Sequence, residues 1–315
     1  MKIVFMGTPE SSVSSLEALL SAGHQILCVV TQPDRPRGRG QKISPSPIKE
    51  LALKNNLPIE QPEKVKGNDI LISFLRSLHP DIIVVAAYGK ILPKEILEIP
   101  IHGCINVHAS LLPKYRGAAP VQWALLNGEQ ESGVTIMKMD ELLDTGDIVL
   151  QEKVKIGEED NALTLSKKLF ERGSKLLIKA LEEIEAGKVK YVPQNHAEAT
   201  NAPAIARESG EIDWRKSASE IHNRVRAMVP WPCAHTLRRE KLLKIWKSEL
   251  HVLDLETRYK LPGTMVAIVK KVGFIVATGK GHLLIREVQP EGKKRMPAYD
   301  FVIGHDVKIG ETLPN

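Results

Sequence analysis

The chain has 315 residues, too many for one ordinary domain and suited to two, a larger and a smaller; 43% are hydrophobic, enough to bury a substantial core, and 26% are charged, as is typical of a soluble protein. Its three cysteines, Cys28, Cys104 and Cys233, are too scattered for a disulfide framework or a CxxC metal pair, and no apolar run reaches the length of a membrane span. The net charge of +6 is uneven: residues 209–315 hold 19 Lys and Arg against 12 Asp and Glu, and the remainder holds 25 against 26, so a polyanionic partner is expected at the C-terminal third, the competing reading being a solubilising charged face.

In chain order, residues 2–6 read as an apolar strand. Residues 14–22 read as a helix with Leu16, Leu19 and Leu20 at helical spacing, and 26–30 as a second buried strand. Strand, helix, strand is the opening of a parallel α/β sheet. The first turn, Gly7-Thr8-Pro9-Glu10, has one glycine and lacks GxGxxG, which argues against a nicotinamide cofactor. The apolar run before it is too short for a secretory leader, so a reducing cytoplasm is the expected compartment. Residues 31–47 follow as a loop rich in Pro, Gly and Ser. From 35 to 49 it carries five cations, Arg35, Arg37, Arg39, Lys42 and Lys49, and no acid. A connection of that length inside a domain is functional or a floppy surface insertion. Residues 48–55 and 68–78 resume helix, 82–87 is an apolar strand, and Tyr88-Gly89 begins the loop after it.

Residues 103–147 organise the rest. Ile105 to His108 reads as a short strand on which Asn106 and His108 share one face. Pro113 and Gly117 end it, 118–127 continue as a helix, 134–139 form another strand, and Asp144 lies in the Asp-Thr-Gly-Asp turn beyond. Singly, the three polar residues read as a structural histidine, a turn-capping asparagine and a turn aspartate. Together, an amide, an imidazole and a carboxylate assemble acyl-transfer chemistry without a nucleophilic side chain.

Residues 163–187 form an amphipathic helix with Leu165, Leu169, Leu176, Leu177, Ala180, Leu181 and Ile184 on its apolar side. The stretch 189–209, with Pro193 and Pro203, lacks periodicity and reads as an interdomain connection. Beyond it come a helix at 220–228, stopped by Pro230-Trp231-Pro232, and short strands at 242–246, 264–269, 274–277 and 283–288, with a hairpin turn at Gly279-Lys280-Gly281. Strands of that kind predict a small barrel. The Gly-Lys pair in the turn has the wrong spacing for a phosphate loop.

Several spaced motifs carry a family resemblance: Gly7-Thr8-Pro9, Thr31-Gln32-Pro33-Asp34-Arg35-Pro36, Ser44-Pro45-Ser46-Pro47, Ala86-Ala87-Tyr88-Gly89, Asn106 with His108, Ser110-Leu111-Leu112-Pro113, Arg116-Gly117-Ala118-Ala119-Pro120, Asp144-Thr145-Gly146-Asp147 and Pro230-Trp231-Pro232. On these the chain resembles the folate-dependent formyltransferases over nearly its whole length. It departs from their pattern at Ser11, Ser12 and Ser14, where an aromatic residue and a proline are usual, at Trp123, where a basic residue is usual, and at Leu142, where a glycine is usual. The resemblance implies a Rossmann-like, mostly parallel sheet at 1–189, a linker at 190–208 and an OB-like, tRNA-binding β-barrel at 209–315. It implies transfer of the formyl group of 10-formyltetrahydrofolate, without a metal, to the α-amine of methionine on initiator tRNA, in support of translation initiation. Asn106 and His108 would donate to the oxyanion formed as the amine attacks, and Asp144 would pair with His108 and relay the proton. Tyr88, Gly89, Ile91 and Leu92, with Ser110, Leu111, Leu112 and Pro113, would form the folate pocket. Arg35, Arg37, Arg39 and Lys42 would meet the acceptor arm, and the enzyme is expected as a cytoplasmic monomer.

Three other readings stand beside this one: a formyltransferase for a small amine such as glycinamide ribonucleotide or an amino-sugar, a hydrolase of the same folate, and a non-catalytic RNA-binding protein on an enzyme scaffold. The basic C-terminal third and the arginine-rich loop speak against the first, and retention of all three polar residues against the last.

Overall fold

The structure, a computed structural model, describes residues 1–37, 42–251 and 261–314. Strand β1 (Lys2–Gly7) is buried at every position after Lys2, as a strand covered on both faces must be. Helix α1 (Val13–Ser21) buries Leu16 and Leu19, and β2 (Gln25–Val30) pairs with β1 in parallel, which is the expected opening. The cationic loop holds a small hairpin, β3 (Arg35–Arg37) and β4 (Lys42–Ser44), with Arg37 opposite Lys42. Two three-residue strands, one containing Pro36, are too short to show a period in the sequence. Helix α2 (Pro47–Lys54) starts where the Ser46 hydroxyl accepts from the Lys49 amide, with proline in its first turn.

A two-residue strand β5 (Ile59–Glu60) and helix α3 (Asp69–Ser77), capped by Asn68, lead to β6 (Ile82–Ala86), buried at all its positions. Then come α4 (Lys94–Leu97), β7 (Cys104–His108), α5 (Pro120–Leu126), β8 (Glu131–Lys138), β9 (Ile148–Lys155) and α6 (Ala162–Glu185). The seven strands lie in the order β5-β2-β1-β6-β7-β8-β9; the pairs from β5 to β7 are parallel, and β8 and β9 run antiparallel. From β1 the chain builds outward first to one side and then to the other, so the loops after β1 and β6 diverge at the carboxyl ends of the strands. Open α/β sheets take ligands at such a switch point. The sheet packs through Val4, Met6, Val30, Leu75, Ile83 and Val85, with Tyr88 and Leu92 of the following loop in the same core.

The chain divides into two units. The first is Met1–Pro120, Glu131–Lys155 and Ser166–Pro203, and the second is Val121–Gln130, Ile156–Leu165 and Ala204–Asn315. Much of the stretch read as an interdomain connection is bonded into the first unit. Val192 exchanges backbone hydrogen bonds of 2.8 and 2.9 Å with Ile148, and Ala202 donates to the Arg116 carbonyl at 2.7 Å. In the second unit, α7 (Ala218–Ala227) begins with a Ser217/Glu220 capping box. Strands β10 (Ala234–Arg238), β11 (Lys241–His251), β12 (Met265–Val269), β13 (Gly273–Ala277) and β14 (His282–Pro290) make an antiparallel sheet in the order β10-β11-β14-β13-β12; β15 (Met296–Pro297) pairs with β14 and leads into α8 (Ala298–Gly304). Its core gathers Trp214, Ile221, Val225, Phe274, Ile285 and Phe301. The expected architecture therefore holds: a mostly parallel Rossmann-like sheet with helices, and a separate antiparallel C-terminal sheet domain. Among the described residues no helix is long and apolar enough to cross a membrane.

Candidate active site

Strand β7 places the site. It pairs with β6 through Val85 and Asn106 and with β8 through His108 and Thr135, so both polar residues sit where the parallel part of the sheet meets its antiparallel part. Alternation along the strand puts them on one face. The Asp144 carboxylate, on the loop between β8 and β9, comes to both: Asn106 Nδ2 lies 3.5 Å from Oδ1, and His108 Nδ1 lies 3.6 Å from Oδ2. The second distance is an ion-pair separation, longer than a direct hydrogen bond. His108 and Asp144 side chains are 6% and 11% exposed, so the contact is made in a largely dry environment. His108 Nε2 is 3.0 Å from the Tyr115 carbonyl, which can only accept, so Nε2 carries hydrogen and Nδ1 is the atom presented to the carboxylate.

Asp144 is held in a strained backbone conformation by one backbone and one side-chain amide. The residue itself adopts φ +54°, a left-handed conformation that costs a non-glycine residue roughly 1–2 kcal/mol. Against that cost, the Gly117 amide donates to Oδ2 at 2.9 Å, and Gln194 Nε2 donates to the Asp144 and Gly146 carbonyls at 3.0 and 2.7 Å. Glycine is required on both sides. At Gly146 an added Cβ would come 1.8 Å from the Lys138 carbonyl oxygen, and at Gly117, with φ +126°, 2.6 Å from that of Ala202. Leu142, the departure from glycine in this loop, is exposed and donates its amide to Asp140 Oδ1; the left-handed residue of the turn is Asp144 instead.

The Ser110–Pro113 segment is held from behind. Thr135, fully buried, donates its hydroxyl to the Ser110 carbonyl at 2.7 Å and accepts from the Leu112 amide and from Gln151 Nε2 at 3.2 and 2.9 Å. Gln151 Nε2 also reaches the Leu112 carbonyl at 2.7 Å, across a cis Leu112–Pro113 bond. Ser110 turns its hydroxyl to the Lys114 carbonyl and Leu112 is buried, which leaves Leu111 and Pro113 part-exposed. Of the other residues assigned to the folate, Tyr88 and Leu92 point their side chains into the core, Gly89 turns the chain at φ +79°, and Ile91 is 68% exposed. The Tyr88 carbonyl receives Gln32 Nε2 at 3.1 Å, joining the loops after β2 and β6.

Burial pushes the Tyr88 hydroxyl and the Cys104 thiol up to about 12. Neither is a nucleophile, although Cys104 lies two residues from Asn106.

The hairpin cations are arranged unequally. Arg35 lines a cleft of about 160 Å³ with Thr8, Gln32, Pro33, Ser44 and Ser46. Arg37 and Lys42 face each other in the backbone register, and Arg39 lies outside the described residues. Lys49 is not part of an unopposed cationic run, because its ammonium sits 2.7 Å from Asp34, just upstream of the acid-free stretch. That ammonium and Gln61 hold the Asp34 carboxyl below its ordinary range. The sequence marks Arg116 only within a motif and Gly117 as the end of the strand, and carries no sign of Thr135, Gln151 and Gln194, whose partners lie up to 78 residues away. Among the described residues no group of three metal-ligating side chains is found.

The formyl transferase family matches residues 1–181, and the C-terminal domain of the formyl transferases matches residues 204–306. The chain is 47% identical over 313 residues to the methionyl-tRNA formyltransferase of Alkaliphilus oremlandii, covering 99% of both chains, and 50% identical over 308 residues to that of Thermodesulfovibrio yellowstonii, covering 98% of this chain and 97% of the relative. Among solved structures, an N-formyltransferase from Helicobacter canadensis in complex with folinic acid and dTDP-3-aminofucose has the same fold at 23% identity, with a TM-score of 0.68 over 92% of this chain and 99% of that one. HypX from Aquifex aeolicus, in complex with tetrahydrofolic acid, shares the fold at 18% identity and a TM-score of 0.66 over 96% of this chain, which spans 47% of HypX. With both of the family's domains present in order, the chain belongs to the formyl transferases.

Proposed function

We propose that the chain transfers the formyl group of 10-formyltetrahydrofolate to the α-amine of methionine on initiator tRNA and so supplies translation initiation. The observation that carries the reading is the convergence of Asn106 and His108 on Asp144 at the end of β7, in a chain whose full-length relatives are named for that reaction. The folate supplies an activated one-carbon group on a leaving nitrogen. The Asn106 amide donates to the formyl oxygen as negative charge gathers there, the kind of stabilisation that dominates acyl transfer. His108, its Nε2–H given to the Tyr115 carbonyl, offers the Nδ1 lone pair to the proton that the amine loses as its nitrogen bonds to the formyl carbon; Asp144 faces the imidazolium so formed, and the proton passes to the folate nitrogen as its bond to that carbon breaks.

The residues present fit a folate. The backbone of residues 89–92 offers donors and acceptors to a flat heterocycle, and the exposed Ile91 side chain offers apolar cover. We assign Leu111 and Pro113 to the same pocket, and Arg35, Arg37, Arg39 and Lys42 to the phosphates of the acceptor arm. We assign the catalytic domain to 1–189 and tRNA binding to 209–315, and place the protein in the cytoplasm as a monomer. Support for the RNA assignment comes from the basic C-terminal third, whose Lys270, Lys271, Lys280, Lys293 and Lys294 are exposed in turns between strands. A formyl-transfer assay comparing methionyl-tRNA, free methionine and glycinamide ribonucleotide tests the reading. Transfer to methionyl-tRNA alone is expected; preference for a small amine would overturn it.

A further inference from the structure

One buried amide ties together the two loops that form the site. Gln194 is 6% exposed. Its Oε1 accepts from Arg116 Nε and Nη2 at 3.1 and 2.7 Å, and its Nε2 donates to the carbonyls of Asp144 and Gly146 at 3.0 and 2.7 Å. Only one orientation of the amide satisfies all four contacts, because a guanidinium only donates and a carbonyl only accepts. The next residue after Arg116, Gly117, gives its amide to the Asp144 carboxylate at 2.9 Å. The contacts close a ring that runs from the carboxylate through the Gly117 backbone, the Arg116 side chain and Gln194 back to the Asp144 backbone. The same segment reinforces it at Thr200, whose carbonyl accepts from the Arg116 amide at 2.8 Å and whose hydroxyl accepts from the Tyr115 amide at 2.9 Å.

We propose that Gln194 is a positioning residue for formyl transfer, holding Asp144 in its left-handed conformation with the carboxylate turned to Asn106 and His108. The inference rests on the reading that Asp144 works in the reaction. Each part of the ring has a separate reason to exist. The left-handed backbone at Asp144 needs outside support, the Asp144 and Gly146 carbonyls need donors, and Arg116 needs an acceptor that leaves the Asp144 carboxylate free for the histidine. An amide is the side chain that meets all of these, since it donates on one side and accepts on the other.

Gln194→Glu separates this role from simple packing. The glutamate keeps the shape and gives Arg116 an ionic partner, but it turns a carboxylate oxygen toward two carbonyl oxygens, which pushes the Asp144 loop away. The expected result in the full chain is a melting temperature near wild type, with kcat lowered on the order of 10²-fold, as for other displacements of about 1 Å at a reacting centre, and KM for both substrates little changed. Hydrogen exchange read on peptides spanning 138–148 and 273–290 guards against a variant that is merely unstable: exchange should rise in the first and stay at wild-type level in the second. A wild-type chain that formylates no methionyl-tRNA would overturn the functional reading and this inference with it. A wild type that formylates it, while Gln194→Glu keeps its kcat or loosens both peptides alike, overturns this inference alone.

Discussion

At the scale of single residues, the proposed chemistry rests on groups that are individually ordinary. Asn106→Ala should lower the single-turnover rate on the order of 10²- to 10³-fold, as removal of one oxyanion donor does. His108→Ala and Asp144→Asn should cost on the order of 10²- to 10⁴-fold, all with folding intact by circular dichroism; near-normal rates in the three would remove the assignment. A buried histidine elsewhere makes a prediction about stability. His222, bonded at 3.0 Å to Ser248 and facing Arg226 and Glu159, has its pKa lowered from 6.5 to about 4, first by burial and then by Arg226. Below pH 6.5 the unfolded chain binds a proton that the folded chain refuses, so the contribution of this group is complete above that pH and is lost as pH falls toward about 4. Melting curves at pH 7, 6 and 5 should show a decline that His222→Gln makes shallower; parallel declines would show that His222 is not the cause.

Among the elements, those with a strong period were legible and those defined by distant partners were not. The helical stripe of α6 and the unbroken apolar run of β6 could be read because periodicity and burial coincide, and the face shared by Asn106 and His108 followed from alternation alone. The polar strand β9 and the terminal helix α8, which follows Pro297 without a side-chain cap, were not read. Nor was the stretch around Gln194, whose hydrogen bonds reach back 48 to 78 residues and leave no local signal. The β3–β4 hairpin falls between these cases: its charge was evident and its pairing was not. Converting Arg35, Arg37 and Lys42 to Ala should lower kcat/KM for methionyl-tRNA strongly and leave folate affinity near normal. Both are measured on the same variant. Unchanged tRNA kinetics would make the hairpin an inert insertion, and a matching loss of folate affinity would assign it to the pocket.

For the whole molecule, charge is unevenly divided along the chain, with the surplus in the C-terminal third, beyond residue 208. Affinity for tRNA should therefore fall linearly on a log–log plot against salt, and replacing Lys293 and Lys294 with Ala should reduce the slope by about 1 per lost phosphate contact. A flat salt titration would show that the lysines only solvate the surface. The large sheet meets a different hazard, because strand edges invite pairing with other chains. One edge, β5, is two residues long. The other, β9, is tied at Ile148 by Val192, and Glu152, Lys153 and Lys155 lie along its remainder, Lys153 paired with Glu131 at 2.9 Å. Charges and a covered end make poor templates for a neighbouring strand. The segment proposed to brace the site thus also covers one end of the sheet's rim, where a second chain would otherwise find unpaired backbone.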